Sequence, residues 1–295
     1  MPESPGDVTS HLRFLKDGSL LTIERDLSKG PFSGVVCHWD VKNSKLLRSV
    51  PVSEPMGLPP QVNVDISPTG DVAFVNPPPL PPANMAGVQS SVERHRDVQL
   101  FVLRHDEANT LVRAKMSDWL RNRIAISDLA FAPDGKDVYL LESSRSWVFR
   151  WRADVNQMHL VFTTPAPSPA QHLASVENYP WIALYGTDLV TWNEETGRYF
   201  TQVKQGASRT IDHLVISPAL NLCFYLENDR LWACRVDDPE RHVDLSHLGK
   251  FVASQLSVSA DGAYLAILMP MSPKREVRIY HLDDIRELDA LRKRR

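Results

Sequence analysis

The chain has 295 residues, 33 Lys plus Arg against 36 Asp plus Glu, and a net charge of −3. Its 43% apolar and 23% charged residues are a globular balance that excludes a disordered chain and a nucleic-acid binder working by bulk positive charge. No run reaches the roughly 18–20 apolar residues of a membrane helix, and 22 Pro against 13 Gly predict many turns and few long helices.

The first residues, MPESPGD, hold no basic segment followed by an apolar run, so no secretory signal is expected. Cys37, Cys223 and Cys234 are too few for a disulfide framework. A cytoplasmic protein with free thiols is the resulting expectation.

From His11 onward one unit recurs. Its first strand and turn read HLRFLKDG (His11 to Gly18), NVDISPTG (Asn63 to Gly70), DLAFAPDG (Asp128 to Gly135), HLASVENY (His172 to Tyr179), HLVISPAL (His213 to Leu220) and QLSVSADG (Gln255 to Gly262). The second column is apolar throughout: Leu12, Val64, Leu129, Leu173, Leu214 and Leu256. The fourth is Phe14, Ile66, Phe131, Ser175, Ile216 and Val258. Apolar residues at period 2 predict a strand with one face packed inward. Gly18, Gly70, Gly135 and Gly262 close four of the turns, with Asn178 and Asn221 near the other two, residues suited to positive φ.

A second strand follows each turn: Leu20 to Ile23, Val72 to Val75, Val138 to Leu141, Trp181 to Tyr185, Leu222 to Leu226 and Tyr264 to Leu268. A third ends in a bulky residue: Trp39, Leu103, Trp151, Trp192, Cys234 and Tyr280. A fourth spans Lys45 to Val50, Thr110 to Lys115, Met158 to Phe162, Arg198 to Val203 and His242 to Leu245, with no clear sixth copy. The units start 52, 65, 44, 41 and 42 residues apart. Four-stranded units of about 40–45 residues are propeller blades, which bury their faces only by stacking radially. A two-domain division suggested by length alone gives way to one ring.

The expected fold is therefore all-β: a β-propeller of six four-stranded blades, the last one incompletely closed, with a short C-terminal helix. Its blades lie near 11–50, 62–115, 127–163, 171–204, 211–246 and 253–282, after an extension at 1–10 and before a helical basic tail at 283–295. In that tail Ile285, Leu288 and Leu291 recur every three residues, and Arg292 to Arg295 follow.

SPTGDVAF (Ser67 to Phe74), APDGKDVYLL (Ala132 to Leu141), SADGAYLAI (Ser259 to Ile267) and HWDVKNSKLLRSV (His38 to Val50) carry a resemblance. Over about residues 11–282 the chain resembles the WD-repeat β-propellers, as a divergent member with Trp39-Asp40 as its only Trp-Asp pair. The resemblance implies a rigid disc whose loop-rich faces bind proteins or peptides without catalysis.

The first column is polar in every unit: His11, Asn63, Asp128, His172, His213 and Gln255. Blade symmetry places these six in a ring at one mouth of the central channel. Imidazoles, a carboxylate and amides at one height suit a metal, a phosphate or a peptide. They equally suit strands that begin at a wet face and bond neighbouring loops. The long second step comes from an insertion, PPPLPPANMAGVQSSVERHR at 77–96. Its Pro77, Pro79 and Pro82 read as a docking arm for a Pro-recognition module or as a solvated loop. Met116 to Ile124 is a second long connection, where Trp119, Arg121 and Arg123 are candidate partner contacts.

There is no GxSxG elbow, HExxH, Walker loop, GxGxxG or CxxC, so no catalytic residue, cofactor or metal is assigned. A two-residue Asn228-Asp229 turn sets Cys223 opposite Cys234, expected as buried free thiols. The functional expectation is a non-catalytic scaffold for a protein or peptide partner, with nucleic acid unfavoured and no membrane. The alternative is a propeller enzyme, or a metal or small-molecule binder, using the polar ring.

Overall fold

The computed structural model describes residues 8–15, 17–25, 34–43, 45–52, 64–67, 70–76, 99–103, 111–113, 126–142, 144–152, 154–155, 157–165, 168–202, 210–251, 255–269 and 276–292. The first sheet is β1 (Val8–Phe14), β2 (Leu20–Arg25), β3 (Gly34–Asp40) and β4 (Lys45–Val52). The second is β5 (Val64–Ile66), β6 (Val72–Asn76), β7 (Gln99–Leu103) and β8 (Leu111–Arg113). The third is β9 (Ile126–Phe131), β10 (Val138–Glu142), β11 (Trp147–Arg152) and β12 (Gln157–Thr163). The fourth is β13 (Ala170–Val176), β14 (Tyr179–Gly186), β15 (Leu189–Asn193) and β16 (Tyr199–Gln202). The fifth is β17 (Ile211–Ser217), β18 (Leu222–Glu227), β19 (Arg230–Arg235) and β20 (Asp238–Asp244). Last come β21 (Gln255–Val258), β22 (Tyr264–Met269) and β23 (Glu276–His281). Each sheet is an antiparallel meander in chain order.

The turn chemistry explains the meanders. Gly18, Gly70, Gly135 and Gly262 adopt φ of 81°, 94°, 67° and 71°, while Asn178 and Asn221 sit at 56° and 55°. Gly135 N–H donates to Ala132 O and Ala132 N–H to Asp137 O; Gly262 and Ser259 repeat the pattern. Asn228 and Asp229, at φ of 50° and 62°, close the β18–β19 hairpin with Glu227 opposite Arg230. Cys223 then faces Cys234, and both thiols are free and buried.

The innermost strands β1, β5, β9, β13, β17 and β21 touch in cyclic order, and β21 returns to β1. Strands buried on both faces lie at the second position, with every residue of β10 and β18 buried. Apolar clusters fill the gaps between sheets. Leu12, Phe14 and Trp39 pack with Ala266 and Leu268 across the closure. Ala130, Tyr139 and Leu141 pack with Leu173, Ile182 and Trp192.

The expectation of six four-stranded blades is corrected. Five sheets have four strands, and the sheet β21–β23 has three among the described residues. The chain after β23 leaves the extended conformation. Leu282–Asp284 and Arg286–Leu288 form 3-10 turns, and α1 (Asp289–Arg292) is a single helical turn. Ile285, Leu288 and Leu291 are buried with Leu245, Phe251, Leu265 and Ile267. Their spacing of three suits helical turns and cannot supply the period 2 of a strand. The segment fills the groove between the last two sheets without adding a rung. The continuous helix expected over 283–295 is shortened for a local reason: Ile285 is extended, at φ −95° and ψ 93°. Among the described residues no helix is long and apolar enough to cross a membrane.

Candidate binding site in the central channel

In every sheet the innermost strand is an edge strand, so half its backbone N–H groups lack a ladder partner. Such groups need another acceptor when buried. The repeat supplies one from the preceding sheet. Asp65 Oδ2 accepts from Phe131 N–H at 2.7 Å, Asp128 Oδ2 from Leu173 N–H at 2.9 Å, and Ser257 Oγ from Phe14 N–H at 2.9 Å. One rule covers all three: an odd-column side chain caps the next column of the following sheet. Ser175 reaches back instead, its Oγ donating to Phe131 O.

Asp65 also pairs with Arg13, whose Nη1 donates to its Oδ1 at 2.8 Å. Arg13, Asp65 and Phe131 thus strap three sheets together. Burial pushes the Asp65 carboxyl up despite the guanidinium beside it.

The channel between these strands encloses about 510 Å³, within the range of small-ligand sites. Asp128, His172, His213 and Gln255 of the predicted ring all line it, together with Tyr185, Ser175 and Glu177. His11 begins this column on β1, but its side chain lies outside the described residues, as does all of Asn63. Pro77, Pro79, Pro82, Trp119, Arg121 and Arg123 also lie outside them.

The four placed ring residues differ in what they do. Asp128 is used by its backbone bonds: Oδ1 accepts from Leu129 N–H and Oδ2 from Leu173 N–H, both at 2.9 Å. His172 Nδ1 lies 3.3 Å from Asp128 Oδ2, and its ring stacks on Tyr185 with centroids 5.3 Å apart. Burial disfavours the imidazolium, but the bond to Asp128 and its charge outweigh that, holding His172 above its ordinary value. At the capping place that His172 leaves, the Leu214 N–H favours the ionised form of Tyr185 but is outweighed. Burial and then the Asp128 charge drive the Tyr185 phenol far up.

His213 and Gln255 have no side-chain hydrogen bond among the described residues. Burial, with His172 alongside, brings the His213 imidazole down to about 4, so it is neutral near pH 7. Asp212, beside His172, is shifted up by burial and by Asp229. Among the described residues no group of three or more His, Cys, Asp or Glu is placed to hold a metal.

Sequence reasoning missed Tyr185 and the Arg13–Asp65 strap. Tyr185 sits on a second strand and reads there as ordinary core. Asp65 stands at the third column, where the other units have Arg13, Ala130, Ala174, Val215 and Ser257. Opposite charges at the same column of two successive units were the available signal. A second polar cluster lies away from the channel. Arg150 Nε bonds Asp137 at 2.8 Å, its Nη1 bonds Glu194 at 2.7 Å, and its Nη2 bonds Asp134. This cluster ties the third sheet to the fourth.

No family model matches the chain, and no curated protein matches it. Among solved structures, a chain of the Kuenenia stuttgartiensis hydrazine synthase is similar with a TM-score of 0.59 at 13% identity. That match covers 99% of this chain and 81% of the other. U3-55K is similar with a TM-score of 0.55 at 14% identity, covering 93% of this chain and 95% of the other. At these identities the likeness shows the fold alone. The expectation of a protein or peptide partner, with nucleic acid unfavoured, is corrected here. A fold shared at 13% and 14% identity gives no preference for a protein partner over any other class of molecule. What the comparisons and the architecture establish together is a β-propeller fold, a ring of antiparallel sheets.

Proposed function

We propose that this protein is a non-catalytic, WD-repeat-like binding scaffold that receives another molecule at the mouth of its central channel. One observation carries the reading: the ring is divided between residues spent on the fold and residues left over. Asp128 caps the neighbouring strand, while His213 and Gln255 line a cavity of about 510 Å³ with no side-chain hydrogen bond among the described residues. Unused hydrogen-bonding groups in a partly desolvated cavity favour a ligand that completes them. The straps between sheets keep the mouth rigid, so little ordering cost attends binding.

The test is native mass spectrometry on protein from its own cells, comparing the natural chain with the His213→Ala, Gln255→Ala double variant. A bound species retained by the natural chain and lost from the folded variant supports the proposal. Chemical conversion of that species at a rate abolished by His172→Ala would overturn the non-catalytic reading.

A further inference from the structure

We propose that the channel mouth selects a cationic group, an ammonium or a guanidinium, seated among Asp128, His213 and Gln255. The inference rests on the reading of the channel as a binding site and adds the chemistry of its occupant.

Charge on the channel wall argues first. Asp65, Asp128 and Glu177 line it, and Asp212 stands beside His172. Against them stand only Arg13 and His172 among the described lining residues. Arg13 is taken by Asp65 at 2.8 Å, so its charge is spent within the wall. His172 leans on Asp128 at 3.3 Å. By formal charge the described lining is negative on balance, three carboxylates against Arg13 and His172.

Hydrogen-bonding capacity argues second and independently. His213 is neutral, so one of its ring nitrogens is an acceptor. Gln255 offers a carbonyl oxygen, and a carboxylate has lone pairs beyond those its backbone partners use. An ammonium or guanidinium brings donors and no acceptors, which matches this set. An anion would meet carboxylates with only an amide and an imidazole N–H to hold it. Charge-assisted bonds in a low-dielectric channel are stronger than neutral ones, so the charge itself should be read in the affinity.

Titration calorimetry, with imidazole resonances of His172 and His213 followed by NMR, tests this on the full chain. The probes are N-acetyl-arginine amide, its neutral isostere N-acetyl-citrulline amide, N-acetyl-glutamate amide and the free small cation agmatine. The arginine probe should bind about 10-fold or more tighter than the citrulline probe. It should lose a similar factor in Asp128→Asn, which keeps an acceptor for Leu173 N–H and so keeps the fold. Agmatine equal to the arginine probe marks a free small cation, and a clear preference for the amide marks a side chain carried on a larger molecule; either supports the proposal. Citrulline or glutamate probes that shift the histidine resonances as strongly and bind as tightly would overturn cation selection while leaving a binding channel. Probes that leave both resonances unmoved would overturn cation selection and count against the channel as well.

Discussion

Replacing Asp65 by Ala tests the capping rule where its consequences are largest. The carboxylate is 16% exposed and its Arg13 partner 20%. Removing it orphans Phe131 N–H, which costs about 1–3 kcal/mol. It also leaves Arg13 unpaired against the channel wall. A fully buried pair broken on one side costs about 3–5 kcal/mol, and partial access to channel water reduces that. A combined loss of about 3 kcal/mol is reasonable, or roughly 6–12 °C in Tm at the roughly 2–4 °C per kcal/mol of larger domains. Arg13→Met alone strands the carboxylate and should also destabilise. Arg13→Met with Asp65→Ala should cost less than the two singles added, by about 1–2 kcal/mol, because no unpaired charge remains. Asp65→Asn should fall between, since its amide oxygen still accepts from Phe131. Thermal and urea denaturation of the four variants decide the matter. A Tm for Asp65→Ala within about 1 °C of the natural chain, or strict additivity in the cycle, would refute the strap.

Gly262→Ala should cost more than Gly18→Ala, although both alanines enter positive φ. A Cβ at Gly262 meets Ala219 Cβ and Leu220 Cγ at 3.1 Å, whereas Gly18 has open space; equal Tm losses would remove the steric part of the argument. Leu288 is fully buried under the last two sheets, so Leu288→Ala should lose about 2–5 kcal/mol by urea denaturation, and a surface-like loss under about 1 kcal/mol would contradict the seating of that segment. His213 titrates at about 4 when folded against 6.5 for the free group. The unfolded chain therefore takes the proton first as pH falls, and stability declines from pH 6.5 toward pH 4. His213→Gln should flatten that acid limb of the Tm profile, and an unchanged limb would show that another group carries it.

The repeat was legible because it is written in local chemistry. Period-2 apolar columns define strands, and Gly or Asn at a fixed offset defines turns at positive φ. Gly18, Gly70, Gly135, Gly262, Asn178 and Asn221 all adopt the backbone their residue types favour. The facing of Cys223 and Cys234 followed from counting outward from a two-residue turn. The polar first column was legible as a column, but not what each of its members touches. Whether Asp128 caps a backbone or His213 stays unspent depends on the neighbouring sheet, which lies tens of residues away in the chain.

The sheet count shows the same division. Length, spacing and column pattern determined a ring of antiparallel sheets, since each unit exposes apolar faces that only neighbours can cover. They did not determine how the last unit ends. Ile285, Leu288 and Leu291 carry enough apolar surface to serve a strand or a helix, and period alone favours the helix. Only the packed structure shows them filling the groove beside Leu245 and Phe251, with three strands in β21–β23 among the described residues. Composition and charge, likewise, set a near-neutral globular chain of net charge −3. That Arg13 meets Asp65 between two sheets, and His172 meets Asp128 between the next two, was decided by tertiary structure, because each pair joins residues tens of positions apart in the chain.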